Sequence, residues 1–193
     1  MSWTALLPFK PPAARKTRLA GALDPEQRIA LSAQLFESVV RTLGECRAID
    51  AIHLLATARP TDWHGGWQVD LGRGLNAELE AARAAIGPRP LLVLHADLPL
   101  LTPADVQTLL DVAADAGRAI APDRHGSGTN ALALHDLRPL RFRFGPESFS
   151  LHRDQGPSAI VVRQGLALDI DSPADLAEAI EAGFAWPPAR RPV

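Results

Sequence analysis

The sequence predicts a three-layer α/β domain, with helices on both faces of a mostly parallel sheet. Three observations carry this. Residues 51–57 and 90–95 are continuous apolar runs of strand length, as expected of strands buried on both faces. The stretches between strand-like runs carry apolar residues at helical spacing. A start code of capping residue, proline and early acid recurs at Asp24-Pro25-Glu26, Thr102-Pro103-Ala104-Asp105 and Ser172-Pro173-Ala174-Asp175. Strands alternating with helices are the signature of this architecture.

In chain order, residues 3–8 read as a first strand, followed by a proline- and base-rich loop through Gly21. The helix opened by Asp24 places Ile29, Ala33, Phe36, Val40 and Leu43 on one stripe, widened by Leu35 and Val39, and ends near Gly44. After the strand at 51–57, residues 76–86 are rich in alanine and leucine and read as a helix closed by Gly87. The strand at 90–95 leads to the helix from Thr102 to about Ala116, then to strands at 118–121 and 130–135 and a long loop. Residues 159–163 and 167–170 read as further strands before the final helix. One domain is expected over 1–186, and the proline- and arginine-rich residues 187–193 read as a disordered tail.

Composition narrows the function. With 193 residues, 47% hydrophobic and 22% charged, the chain has an ordinary globular balance. A net charge of -2 gives no broad cationic field for a nucleic-acid backbone. The single cysteine, Cys46, excludes an internal disulfide and a multi-cysteine zinc site, and reads as a packing residue in a reducing compartment. No signal-peptide order opens the chain and no apolar run approaches the roughly 18 residues of a membrane span, so a cytoplasmic, membrane-free protein is expected. Of 20 basic residues only Lys10 and Lys16 are lysines, and both lie in the first loop. Either that is a site for compact ammonium groups or it is solvated surface.

Ligands of open α/β sheets bind beyond the carboxyl ends of the strands, which directs attention to the polar residues there. Lys10, Arg15, Lys16 and Arg18 follow the first strand and offer convergent charge for a polyphosphate, although no Walker loop occurs. Asp97 ends the strand at 90–95: it is a candidate magnesium ligand, or an aspartate folded onto its own turn. Asp169 and Asp171 share one side of an extended segment, and Ser172, the better N-cap, leaves Asp171 available. Gly126-Ser-Gly-Thr129-Asn130 and Phe144-Gly145-Pro-Glu-Ser148-Phe-Ser150 combine small residues and hydroxyls suited to a phosphate or carboxylate, and equally to ordinary turns. Arg141, Arg143 and His152 flank them without an assigned role. In Gly72-Arg-Gly74-Leu-Asn76, loop amides and the Asn76 side chain contact a base, or Asn76 simply caps the next helix.

Taken in order, Leu7-Pro-Phe-Lys-Pro with Lys16-Thr-Arg-Leu, Gly74-Leu-Asn76-Ala, Ala96-Asp97-Leu-Pro-Leu, Gly128-Thr129-Asn130-Ala, Phe144-Gly145-Pro-Glu-Ser148-Phe and Asp169-Ile-Asp171-Ser-Pro resemble the guanylyltransferase family that makes the phosphoester precursor of coenzyme F-420. The resemblance implies a nucleotidyltransferase fold of the nucleotide-diphospho-sugar transferase type. It implies GTP and a small phosphorylated carboxylic acid as substrates (2-phospho-L-lactate, phosphoenolpyruvate or 3-phospho-D-glycerate), Mg2+ as cofactor, and a downstream transferase as recipient of the product. By motif position, Thr129, Gly145 and Ser148 would hold the acid, and Asp97 and Asp171 the metal, with Asp169 less certain than Asp171. The glycine-rich opening loop usual in the wider superfamily is replaced here by Pro11-Pro12-Ala-Ala-Arg15-Lys16, which puts weight on Lys10, Lys16 and Arg18 as catalytic phosphate ligands. The alternatives are a molybdenum-cofactor or sugar-phosphate nucleotidyltransferase, and a non-catalytic GTP-binding subunit.

Overall fold

A computed structural model describes residues 2–9, 16–136 and 138–186. Its frame is a seven-stranded sheet built from β1 (Trp3–Pro8), β2 (Ile49–Ala56), β3 (Gly66–Val69), β4 (Leu91–Leu94), β5 (Arg118–Pro122), β6 (Thr129–Leu134) and β7 (Ala159–Ile160), in the order β3-β2-β1-β4-β6-β5-β7. Only β6 runs against the others: it pairs antiparallel with β4 and β5, while the remaining pairs are parallel.

Six α-helices among the described residues complete the layers: α1 (Pro25–Glu45), α2 (Leu75–Ile86), α3 (Pro103–Ala116), α4 (Ser148–Arg153), α5 (Gln164–Ala167) and α6 (Pro173–Glu181). Period-two alternation divides the strands between two faces. Ala5, Leu7, Leu92 and Leu94 pack with Val39 and Leu43 of α1 and Val106, Leu109 and Leu110 of α3. Leu6, Leu91 and Val93 face the other way, onto Leu79, Ala82 and Ile86 of α2 and the Leu140, Phe142 and Phe144 side chains. A third cluster joins the outer side of α1, through Leu31 and Leu35, to Leu176 and Ala179 of α6. No helix among the described residues is long and apolar enough to cross a membrane.

The start codes act as expected. Asp24, Thr102 and Ser172 are the N-caps of α1, α3 and α6, each with a reciprocal capping box. Four expectations need correction. First, Asn76 is not an N-cap; α2 begins at Leu75 behind its N-cap Gly74, whose φ of 97° suits only glycine comfortably. Second, Ile29 is exposed, because α1 is packed on two sides and its buried arc turns toward Leu31, Leu35 and Val39. Third, 167–170 is no strand: α5 ends at Ala167, and Leu168 and Ile170 point alternately inward to the α1–α6 cluster with no strand beside them. Fourth, β7 is only two residues long, not the five read at 159–163.

Candidate active site

A cleft of about 760 Å³ opens beyond the carboxyl ends of β1 and β4. Because β6 is reversed, its first residues reach the same edge: His95 N–H donates to the Asn130 carbonyl, and Leu94 pairs with Ala131. That is how Thr129 and Asn130, which open a strand instead of following one, come to the ligand edge. Lys16, Arg18, Asp97, Thr129, Gly145, Ser148, Asp169 and Asp171 all line the cleft. Lys10 falls outside the described residues, as do Arg15 and residues 187–193.

The acids form one group. Asp97, Asp169 and Asp171 each offer an oxygen within 4.8 Å of the others. The Lys16 ammonium sits against them, 2.6 Å from Asp97 Oδ2 and 3.4 Å from Asp171 Oδ1, and also donates to the Ile170 carbonyl. Arg18 reaches Asp171 Oδ2 at 3.4 Å. Burial disfavours the Lys16 charge, but Asp97 and then Asp171 outweigh it, so its pKa is raised. Burial likewise pushes the Asp97 carboxyl up, and the Lys16 charge more than offsets it, leaving the pKa below the usual value. Asp169 goes the other way: burial and the neighbouring Asp97 charge raise it, against a hydrogen bond from Asn130. Three acids with one lysine among them are short of positive charge. Asp97 Oδ1, moreover, is buried without a hydrogen-bond partner among the described residues. A hard divalent cation takes such carboxylate oxygens, and this donor set fits one.

Local hydrogen bonds hold the acids in place. Asn130 Nδ2 donates to the Leu166 and Ala167 carbonyls and to Asp169 Oδ1, fixing the segment after α5. Ile170 N–H donates to the Asp97 carbonyl. Asp175 Oδ2 accepts from the N–H groups of Asp171 and Ser172, so the cap of α6 also aims Asp171.

Opposite the acids, the Thr129 and Ser148 loops are laced together, with Phe149 N–H donating to the Ser127 carbonyl and Ser127 N–H to Asp123 Oδ1. Gly145 has φ 126°, a conformation that keeps its backbone open to the cleft without a side chain. Asn76 does not line the cleft. Its Oδ1 accepts from Phe144 N–H at 2.7 Å and its Nδ2 donates to the Phe144 carbonyl at 3.0 Å, so the amide braces the Gly145 loop from behind. Of the loop amides before α2, those of Leu71 and Arg73 donate to Glu78 Oε1 and that of Gly72 to Asp70, while Gly72 and Gly74 themselves line the cleft. Asp70 and Asp123, which the sequence reading passed over, also line the cleft. Each directly follows a strand: Asp70 follows β3, which was not read in the sequence, and Asp123 follows β5, where the strand-end rule applied to 118–121 would have found it.

A cleft at the strand order's turning point, closed by one acid beyond β4 and two more in the segment leading to α6, belongs to the nucleotidyltransferases. Solved structures share the fold. A nucleotidyl transferase from Methanothermobacter matches with a TM-score of 0.64 at 15% identity, over 95% of this chain and 97% of that one. Rv0371C from Mycobacterium tuberculosis, in complex with manganese, matches at 0.55 and 20%, over 94% and 100%. Within the class, the chain belongs to the family described as guanylyl transferase CofC like, whose model matches residues 3–184. Among curated relatives, the phosphoenolpyruvate guanylyltransferases of Rubrobacter xylanophilus and Sphaerobacter thermophilus are 39% and 35% identical, with 95% and 92% of this chain and 96% and 92% of those proteins covered. The protein is an enzyme, a nucleotidyltransferase of guanylyl type.

Proposed function

We propose that the enzyme transfers GMP from GTP to a three-carbon phosphorylated acid, phosphoenolpyruvate first among the three candidates, with release of pyrophosphate. The product then passes to a downstream transferase of coenzyme F-420 biosynthesis. The observation that carries this reading is the meeting, in one cleft, of the acidic group at Asp97, Asp169 and Asp171 with the hydroxyl loops at Thr129 and Ser148. The family and the names of its relatives support the guanylyl group and favour phosphoenolpyruvate over 3-phospho-D-glycerate and 2-phospho-L-lactate.

In the reaction, an oxygen of the acid's phosphate attacks the α-phosphorus of GTP in line, and the bond from that phosphorus to the β-phosphate oxygen breaks. The attacking oxygen is already anionic, so positioning and charge neutralisation suffice and no strong general base is needed. Lys16 and Arg18, joined by Lys10, lie after β1 and would offset charge on the phosphates. Thr129, Gly145 and Ser148 would hold the acid on the other wall. Asp97 and Asp171 would hold a divalent ion, for which magnesium is the expected identity; the manganese complex of the distant Rv0371C supports a divalent ion of some kind. Bound there, such an ion supplies positive charge to the phosphate oxygens.

The test is pyrophosphate release from GTP and magnesium with each acid in parallel, the downstream transferase present to draw off product. Release with phosphoenolpyruvate is expected. Silence with all three acids, in a protein that binds GTP, would sink the transferase reading.

A further inference from the structure

His152 stands in the last turn of α4 and is fully buried, yet it belongs to no acid group and to no part of the reaction derived so far. Its two ring nitrogens have different neighbours. Arg143 N–H donates to Nε2 at 2.9 Å, and Thr129 Oγ1 lies 3.0 Å from Nδ1. The ring and that of Phe144 meet in a T-shaped pair, centroids 4.8 Å apart.

The donor inventory then decides every proton. A backbone amide can only donate, so Nε2 carries no hydrogen and the imidazole is neutral. A neutral imidazole bears one N–H, which must therefore be on Nδ1. Thr129 Oγ1 accordingly accepts from His152 and cannot donate to it. The hydroxyl proton of Thr129 has no other acceptor among the described residues, and Thr129 lines the cleft. Burial, with His95 packed on the same Phe144 ring, keeps the imidazole neutral by holding its pKa down to about 4.

We infer that His152 is a positioning residue: it fixes the polarity of the Thr129 hydroxyl so that this group faces the cleft as a donor only, specifying an acceptor-only oxyanion of the acid substrate. A hydroxyl left to rotate offers lone pairs as readily as a proton and discriminates little. Backed by His152, Thr129 meets a carboxylate or phosphate oxygen with its proton already aimed, and meets a donor group badly. The inference rests on the reading of Thr129 as an acid ligand.

The experiment uses the full chain with GTP, magnesium and phosphoenolpyruvate, and reads KM for the acid, KM for GTP, kcat and calorimetric binding of the acid. His152→Gln sets its amide near the Nε2 position, keeping the Arg143 contact and withdrawing the donor from Thr129. His152→Asn sets its amide near the Nδ1 position and can still donate to Thr129. Thr129→Val removes the hydroxyl, and Thr129→Val with His152→Gln closes the cycle. Expected are a rise of about tenfold in acid KM for His152→Gln and for Thr129→Val, as for a lost hydrogen bond to a charged group. KM for GTP should stay within about twofold, an informal bound set by additivity at a separate subsite. The double variant should be no worse than Thr129→Val alone, and His152→Asn should recover most of the affinity. A His152→Gln effect of equal size in the Thr129→Val background overturns the inference, as does loss of acid affinity in His152→Asn with none in His152→Gln. Unchanged acid KM and binding in Thr129→Val would instead remove Thr129 from the acid site, a separate failure of the functional reading.

Discussion

Acid should loosen this fold through His152 well before the carboxylates are protonated. The side chain has no exposure, and burial, helped by the neighbouring His95, lowers its pKa from the ordinary 6.5 to about 4. Since the folded pKa lies below the unfolded one, the unfolded chain takes up this proton first as pH falls. Above pH 6.5 the group therefore carries no penalty; between about 6.5 and 4 it destabilises progressively, and below 4 the effect levels off. At about 1.4 kcal/mol per pH unit the full loss is about 3 kcal/mol, a large share of a typical domain's stability. Urea unfolding at a series of pH values, compared between the protein and His152→Gln, isolates the term, because the remaining groups titrate alike in both. The difference in stability should shift by about 3 kcal/mol across that window. Parallel pH dependence in the two proteins would refute the reasoning, as would an imidazole that titrates near 6.5 by NMR.

Three further outcomes follow from named contacts. Asp97→Asn should lower kcat by at least about 100-fold, as expected when a metal-binding carboxylate is lost, while circular dichroism remains unchanged; normal turnover would remove Asp97 from the chemistry. Asn76→Ala leaves the Phe144 N–H and carbonyl without their partners, and should lower unfolding stability by about 1–3 kcal/mol and raise acid KM more than GTP KM. Glu78, held down to about 2 by hydrogen bonds from the Arg73 side chain and backbone, contributes stability that is complete above its ordinary value of 4.5 and lost as pH falls toward 2; Glu78→Gln should flatten the pH dependence of unfolding in that interval.

The parts of the fold that could be read in the chain are those whose causes are local. Asp24, Thr102 and Ser172 cap their helices through side chains three residues away, and Pro25, Pro103 and Pro173 occupy first helical positions that tolerate proline. The missed elements lack such causes. Strand β3 has four residues, pairs with β2 alone, and exposes Trp67 and Val69, so neither a continuous apolar run nor buried alternation marks it. Helix α4 begins behind Glu147 in a left-handed conformation and has no side-chain cap. At 167–170 the alternation was real, since Leu168 and Ile170 are both buried, but period two reports which side faces a core and not whether a strand lies alongside. Those backbone groups are served instead by Asn130, Arg124 N–H and the Asp97 carbonyl, each at least 36 residues away in sequence.

The site divides along the same line. Its cleft-lining groups stand at element ends, where residue type alone suggests chemistry, and so Asp97, Asp171, Thr129 and Lys16 could be singled out from the chain. The groups that aim them are polar side chains, buried at Asn130 and His152 and half-buried at Asn76, whose partners are distant in sequence: Asn130 on Asp169, Asn76 on Phe144, His152 on Thr129. A buried polar group is stable only when its hydrogen bonds are made, so each specifies one arrangement of its loop and resists others. Asn76 shows why residue type misleads here. An asparagine beside a helix start suggests a cap or a ligand, yet both ends of its amide are spent on one backbone residue 68 positions away, and only the assembled sheet, with β6 reversed, brings that residue within reach. The lining of the cleft can thus be read from residue type at element ends, whereas its geometry is set by long-range pairs with no signature in the chain.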